Sequence, residues 1–476
     1  MDLHLENERL KQEIQALREA LQAAEQRIQE LTALLNQNSG NSHWPSSRDK
    51  SRKKKRTKSL RRRSGKKPGG QPGHQGHTLE FHEEPDVIEV HRPHYCEHCQ
   101  AAFSENEPAV VMEKRQVHDL PPMRLIVTEH QAENLLCRQC GQMNQGTFPS
   151  AVTSPVQYGP GVQQLAVYLK TEQFIPYDRS RQFFADLFDL NISPGTLQNI
   201  IGRAARGLQP VVEKIKEGLI ASEVVHFDES GFYIGGKRHW LHTAGTPFLT
   251  CYYPHSRRGK VATDAMGILP RFQGAAIHDF WSAYRQYQQC RHGLCNTHHL
   301  RELTAVVEND DQRWAAHFKM LLLSAKGVVE QAKLSGQSAL ARSQINQIER
   351  IYAQLIQKGL QSNPAPPSGW PRGKRGRVKK TKARNLVERL EKHRPEVLAF
   401  VYDFKVPFDN NLAERDIRML KVQQKISGCF RSQTGAEDFC TIRSYISTMR
   451  KQGVSVWLAL GSVFSDDILL PESIPE

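Results

Sequence analysis

At 476 residues the chain is too long for one ordinary domain, and about 150 residues per domain predicts roughly three units. A formal net charge of +15 favours a polyanionic partner, while the absence of any apolar run near the roughly 20 residues that span a bilayer argues against a membrane protein. Nine cysteines, as two Cys-x-x-Cys pairs and five singles, suit metal ligands and buried thiols in a reducing compartment better than a disulfide framework. The N-terminus is polar and heptad-patterned, with no charged stub leading into an apolar stretch, so no secretory signal is visible and a cytoplasmic nucleic-acid-binding protein is expected.

Residues 1–40 read as a coiled coil. Leu3, Leu10, Ile14, Leu17, Leu21, Ala24, Ile28, Leu31 and Leu35 recur on an alternating three-four spacing, with Asn7 the one polar residue on the stripe. A single seam Asn fixes register in a two-stranded coil, so self-association through this helix is expected, the alternative being a lone amphipathic helix packed on its own domain. The helix should stop before the Asn36–Asn41 stretch.

Residues 41–85 form a basic, Gly/Pro-rich arm. Lys53, Lys54, Lys55, Arg61, Arg62 and Arg63 lie in a segment too poor in apolar residues to fold alone, and Pro68-Gly69-Gly70-Gln71-Pro72-Gly73-His74 follows. Glycine and proline at that density forbid helix and leave amides exposed, which suits tracking along DNA phosphates but gives little sequence choice.

A zinc-binding domain is expected over 86–150. Cys96-x-x-Cys99 and Cys137-x-x-Cys140 can each present two thiolates from one turn, and together they complete a tetrahedral four-sulfur site of structural, non-catalytic zinc. Val110–Gln116 and Leu125–Glu129 between them read as short strands, making a zinc ribbon. Residues 155–210 then read as three helices, the last beginning with Ser193 as N-cap and Pro194 in its first turn. That is a helix-turn-helix-like domain, although three-helix units without DNA contacts are as common.

The catalytic core is expected in two parts, 220–304 and 401–455. Val224–Ile234 reads as a strand, Gly235-Gly236 as a two-residue hairpin turn, and His239–Ala244 as its partner. Phe248–Tyr253 is a third strand, Lys260–Leu269 a helix, and Gly274–Asp279 a short strand ending in an acid. Three antiparallel strands, a helix and a parallel strand follow the order of a ribonuclease-H-like core. In that order Asp228 lies on the first strand and Asp279 at the end of its neighbour. Asp409 or Asn410 can cap a later helix and set Glu414 in its early turns, with Arg418, Lys421 and Lys425 on the same face to hold phosphates.

Phosphodiester attack develops negative charge on both the entering and the leaving oxygen. Two divalent ions about 4 Å apart can activate one and stabilise the other, and hard carboxylate ligands suit magnesium or manganese. Glu229 rivals Asp228, but adjacent strand residues point to opposite faces. Asp416 falls on a different helix face from Glu414, and Glu437 and Asp438 lack the Asn-Asn lead-in.

These segments carry a family resemblance. The Pro68–His74 arm, the paired Cys-x-x-Cys knuckles, Asp228-Glu229, Asp279-Phe280-Trp281-Ser282-Ala283-Tyr284 and Asn410-Asn411-Leu412-Ala413-Glu414-Arg415 resemble the large, TnpC-type transposase of the insertion-sequence-sixty-six family. The resemblance implies a bacterial, nucleoid-associated DNA transposase with an Asp–Asp–Glu triad of Asp228, Asp279 and Glu414. It also implies binding of terminal inverted repeats, target DNA joined by strand transfer, and small accessory proteins from the same element. Arg415 belongs to the matching segment and is expected to contact DNA with its helical neighbours. Ser230 stands where the family leads one to expect Thr, which leaves the acid intact. Cys295-Asn296-Thr297-His298 followed by Arg301 resembles a segment after the second Asp, where a core-positioning role is at least as apt as metal ligation.

Residues 305–400 read as a helical insertion, broken at Pro364–Lys382 by a basic loop with Arg372, Lys374, Arg375, Arg377, Lys379 and Lys380, and 456–476 as a C-terminal tail. The fold class is thus multidomain α+β: coiled coil, zinc ribbon, helix-turn-helix-like bundle and a ribonuclease-H-like core with a helical insertion. Two other functions fit the same residues, a nuclease that only hydrolyses and an inactive zinc-ribbon DNA-binding regulator.

Overall fold

The computed structural model describes residues 2–37, 41, 79–106, 108–365, 380–465 and 467–472. The basic arm with Lys53, Lys54, Lys55, Arg61, Arg62 and Arg63, the Pro68–His74 segment, and Arg372 to Lys379 of the insertion loop lie outside the described residues. The chain divides into two units, Lys58–Ile126 and the remainder.

In the smaller unit the described residues form a knuckle at Cys96. The Cys96 amide donates to Ala101 O at 2.9 Å, the Gln100 amide donates to Cys96 O at 2.9 Å, and Gln100 takes φ +59° to close the turn. Val110–Gln116 is not a strand, and neither is Leu125–Glu129, whose last three residues belong to the larger unit. Val110, Val111 and Met112 are exposed, as are Ile126 and Val127, so the alternation that suggested strands has no second layer to bury it.

The larger unit opens with α1 (Asp2–Leu35), which ends where the Asn-rich stretch begins. Ile14, Leu17, Leu21, Ile28, Leu31 and Leu35 are exposed along it. A second knuckle sits between β1 (Asn134–Leu136) and β2 (Met143–Gln145), an antiparallel pair. It repeats the first at the same spacing: Cys137 N donates to Gln142 O at 2.8 Å, Gly141 N donates to Cys137 O at 2.8 Å, and Gly141 takes φ +71°.

Three helices follow, α2 (Pro160–Val167, continued by a wider turn over Tyr168–Glu172), α3 (Tyr177–Phe188) and α4 (Pro194–Ala221). Ser193 caps α4 by accepting from the Thr196 amide. Helix α4 runs past the expected 155–210 bounds and through Pro210, because Leu208, Val211, Val212, Ile215 and Leu219 keep one buried stripe while Pro210 sits on the exposed side.

The central sheet contains β3 (Val224–Ile234), β4 (Lys237–Gly245), β5 (Thr250–His255), β6 (Ala275–His278) and β7 (Arg291–Leu294), in the spatial order β5-β4-β3-β6-β7. The first three strands are antiparallel, and β6 and β7 run parallel to β3. Gly235 (φ +54°) and Gly236 (φ +78°) make the hairpin turn, a conformation that favours glycine at both positions. The short α5 (Lys260–Met266) links β5 to β6. The third strand lies two residues later than expected, and β7 was not expected from the sequence.

Between β7 and the last part of the core lie α6 (Asn296–Asp310), α7 (Arg313–Leu334), α8 (Arg342–Ser362), α9 (Lys382–Lys392), α10 (Arg394–Val397) and α11 (Ala399–Tyr402). They pack around Trp314, Phe318, Leu322, Tyr352 and Leu386 in a core that also takes in Ala275 and Ile277 of β6 and Leu294 of β7. The chain then returns as α12 (Asn411–Ser427), α13 (Gln433–Lys451) and α14 (Val456–Ser462). Helix α12 lies against β3 and β4, while α13 covers β5 and packs on α4. The whole is a mixed α+β architecture.

Candidate active site

Strand register sets the first two acids level with each other. Val224 pairs with Ala275 and His226 with Ile277, an offset that carries Asp228 to Asp279 just beyond the end of β6. There each carboxylate is tied to the backbone: Asp228 Oδ1 accepts from the Glu229 amide and Asp279 Oδ1 from the Trp281 amide, both at 2.9 Å.

The third acid arrives through Asn410. Its side chain does not cap α12, as sequence alone suggested. Instead Nδ2 donates to Phe227 O at 2.8 Å, and His226 Nδ1 donates to Asn410 Oδ1 at 2.9 Å. Its backbone amide donates to Cys295 Sγ at 3.2 Å. The near-cap role passes to Asp409, whose Oδ1 accepts from the Asn411 amide. One buried amide thus staples the start of α12 to the residue preceding Asp228, and Glu414 follows one turn later.

Electrostatics agree with this juxtaposition. Burial, then the carboxylates of Glu229, Asp279 and Glu414, raise the Asp228 carboxyl well above its ordinary range. Burial also raises Glu414, with Asp409 and Asp279 adding to it and Arg301 and Arg418 opposing. Glu414 Oε1 is buried with no hydrogen-bond partner among the described residues. Carboxylates are the hard oxygen donors that suit a divalent cation, and His298 Nδ1 lies 3.9 Å from Glu414 Oε1.

Glu229 lies on the Phe227 face of β3, away from His226 and Asn410. Arg258 donates to its Oε1 from Nε at 2.8 Å and Nη2 at 2.5 Å, and the Tyr284 hydroxyl donates to Oε2. Burial and the nearby Asp279 still push its carboxyl up to about 7. The other rival, Asp416, is held by Lys451 Nζ at 2.6 Å and by Thr250, a clamp between α12, α13 and β5. Arg258 and Tyr284 were not singled out as site residues. The signal for Tyr284 was its place in the Asp279–Tyr284 segment, whereas nothing local marks Arg258.

Of the expected DNA-contacting residues on α12, Arg415, Arg418 and Lys425 are exposed. Lys421 Nζ donates to Gly231 O at 2.9 Å, so its ammonium is partly used in holding the helix to β3. Among the described residues, the ligand atoms of Cys295, His298 and Glu414 lie within 4.8 Å of one another. Burial pushes the Cys295 thiol up to about 12, and its sulfur accepts from Asn410, which favours a positioning role.

At the two knuckles, the amides of Cys99 and His98 lower the Cys96 thiol, and those of Cys140 and Gln139 lower Cys137. Amides aimed at a sulfur favour thiolate, the form that binds metal.

Residues 155–438 match the family described as Transposase IS66 family. The chain belongs to the IS66 transposase family. Residues 2–80 match a further family of unknown function, DUF6444. A curated relative, the uncharacterized protein y4hP of Sinorhizobium fredii, is 24% identical over 367 residues, covering 71% of this chain and 65% of the relative. The family match takes in Asp228, Asp279 and Glu414 within one continuous span. Among the described residues no helix is long and apolar enough to cross a membrane.

Proposed function

We propose that this chain is a DNA transposase that cuts and joins strands at Asp228, Asp279 and Glu414 in a ribonuclease-H-like core. What supports the reading is that strand register sets Asp279 beside Asp228, that Asn410 ties the start of α12 to the residue before Asp228, and that the charges of Asp279 and Glu414 both act on Asp228. Magnesium or manganese ions, when bound, activate the attacking oxygen and stabilise the leaving one. Asp228, Asp279 and Glu414 would hold them, and the mutual repulsion of the acids supports that role. Water as nucleophile gives cleavage, and a freed 3′-hydroxyl gives strand transfer.

The surrounding modules have matching roles. Arg415, Arg418, Lys421 and Lys425 on α12 face DNA phosphates, and Lys53, Lys54, Lys55, Arg61, Arg62 and Arg63 of the arm add sequence-independent affinity. Cys96, Cys99, Cys137 and Cys140 hold structural zinc. The exposed apolar stripe of α1 pairs with a second copy as a coiled coil. The helical segment α2–α4 binds the terminal inverted repeats as a helix-turn-helix-like unit, and small accessory proteins of the same element assist in the bacterial cytoplasm at the nucleoid.

The test uses purified protein, labelled duplex from the DNA flanking the coding sequence, target DNA and Mg2+ or Mn2+. Wild type should nick the ends and give joined product, whereas Asp228→Asn should bind the duplex nearly as well and cut nothing. Nicks without joined product indicate a nuclease, binding without nicks indicates a regulator, and cutting by Asp228→Asn at the wild-type rate removes the carboxylate assignment.

A further inference from the structure

Cations border the acidic cluster on two sides. Arg301 and Arg418 act on Glu414, and on the Asp279 side stands Arg258, from the turn after β5. Its guanidinium lies 4.2 Å from the ring centre of Trp281 and 4.9 Å from that of Trp240, while two of its nitrogens converge on one oxygen of Glu229. Two of these holders are tied to the site. Glu229 follows Asp228 in the chain, and the Trp281 amide donates to Asp279.

We propose that Arg258 contacts a DNA phosphate beside the scissile bond, with Glu229, Trp240 and Trp281 as the positioning residues that aim its guanidinium there. The inference rests on the strand-cutting reading above. Glu229 has both oxygens engaged, one by Arg258 and one by Tyr284, and its side chain is 1% exposed, so it serves as an anchor. Arg258 is 38% exposed and keeps Nη1 for a ligand. A partly buried ion pair is a costly way to add stability, because desolvation offsets much of its attraction, but it fixes a planar donor in one orientation. An arginine held against two indoles next to these acids, with Nη1 unengaged, presents a fixed cationic donor that a phosphodiester oxygen accepts. With Arg301 and Arg418 on the Glu414 side, the backbone of the cut strand would be gripped on both sides of the acids.

The plain alternative is that Arg258 only balances the charge of Glu229. A double variant separates the two, because Arg258→Gln with Glu229→Gln leaves no buried charge uncompensated. Cleavage and duplex binding over a range of salt are measured on the labelled flanking duplex, alongside thermal melting. The double variant should melt like wild type, cut about 100-fold more slowly, and show a log K against log salt slope smaller by about 0.9, the change expected when one phosphate fewer is neutralised. Arg258→Lys keeps the charge, and so the fold, but loses the fork. It should hold the salt slope while cutting at least about tenfold more slowly. A double variant with wild-type rate and slope, or Arg258→Lys at the wild-type rate, overturns the proposal and leaves the strand-cutting reading standing. Wild-type protein that neither binds nor cuts DNA overturns both.

Discussion

Replacing Asn410 by Ala tests the staple that brings Glu414 to Asp228. The substitution removes the donor to Phe227 O at 2.8 Å and the acceptor for His226 Nδ1 at 2.9 Å, in a residue only 2% exposed. A buried polar group left unsatisfied costs about 1–3 kcal/mol, so two cost about 2–6 kcal/mol. The bond to Cys295 survives, because it uses the backbone amide. The loss falls on the docking of α12, so local opening of that helix is the quantity to measure. Amide hydrogen exchange followed by mass spectrometry should show peptides within Asn411–Ser427 exchanging from about 30-fold to about 20,000-fold faster. Peptides from α7 and α8, in a separate core, should be unchanged. Protection of α12 within about twofold of wild type would refute the reasoning, as would an equal loss across α7 and α8, since the staple acts on one helix.

Stability without metal should fall as pH rises. Glu229 goes from an ordinary 4.5 to about 7 on folding, and Asp228 is raised too, so the folded state keeps protons that the unfolded state releases. In chelator, the melting temperature should be highest below about pH 4.5 and decline through about pH 7 from this source, and Asp228→Asn should flatten the decline; a slope unchanged by that variant counts against the acid cluster. Gly274→Ala should destabilise by about 1–3 kcal/mol or more, because its Cβ would stand 2.5 Å from Glu223 O and 2.6 Å from Phe272 Cζ; an unaltered melting temperature would show that the start of β6 can shift. Protein purified without chelator should carry zinc by elemental analysis and lose it in Cys137→Ser; metal-free protein with Cys96, Cys99, Cys137 and Cys140 all reactive would remove the zinc assignment.

The parts readable from sequence were those with a local physical cause. The β3–β4 hairpin announced itself through Gly235-Gly236 between alternating runs, and α4 through Ser193-Pro194. Strand β7 gave no such signal: four residues, with Arg291 exposed and only Gly293 and Leu294 buried, become a strand only because β6 offers a free edge. The apparent strands at 110–116 and 125–129 failed for the converse reason, alternation without a partner layer. At the proposed site, fold order sets Asp228 on one strand and Asp279 at the end of its neighbour. What holds them could not be read that way, because Asn410 reads as an ordinary N-cap until its side chain is seen reaching β3 instead. Arg258 is likewise silent in sequence, since its meaning comes from Glu229, Trp240 and Trp281 on three other segments.

The distance along the chain between Asp279 and Glu414, filled by α6–α11, also sets an order in time. During synthesis the first two acids leave the ribosome long before the third, and the helical insertion must be made in between. The third acid counts only once α12 exists and Asn410 has docked on Phe227. A chain that stalls or is truncated within the insertion therefore carries two carboxylates and cannot assemble the set of three. For a protein proposed to cut the DNA of its own host, unfinished copies would lack the third acid of the proposed set.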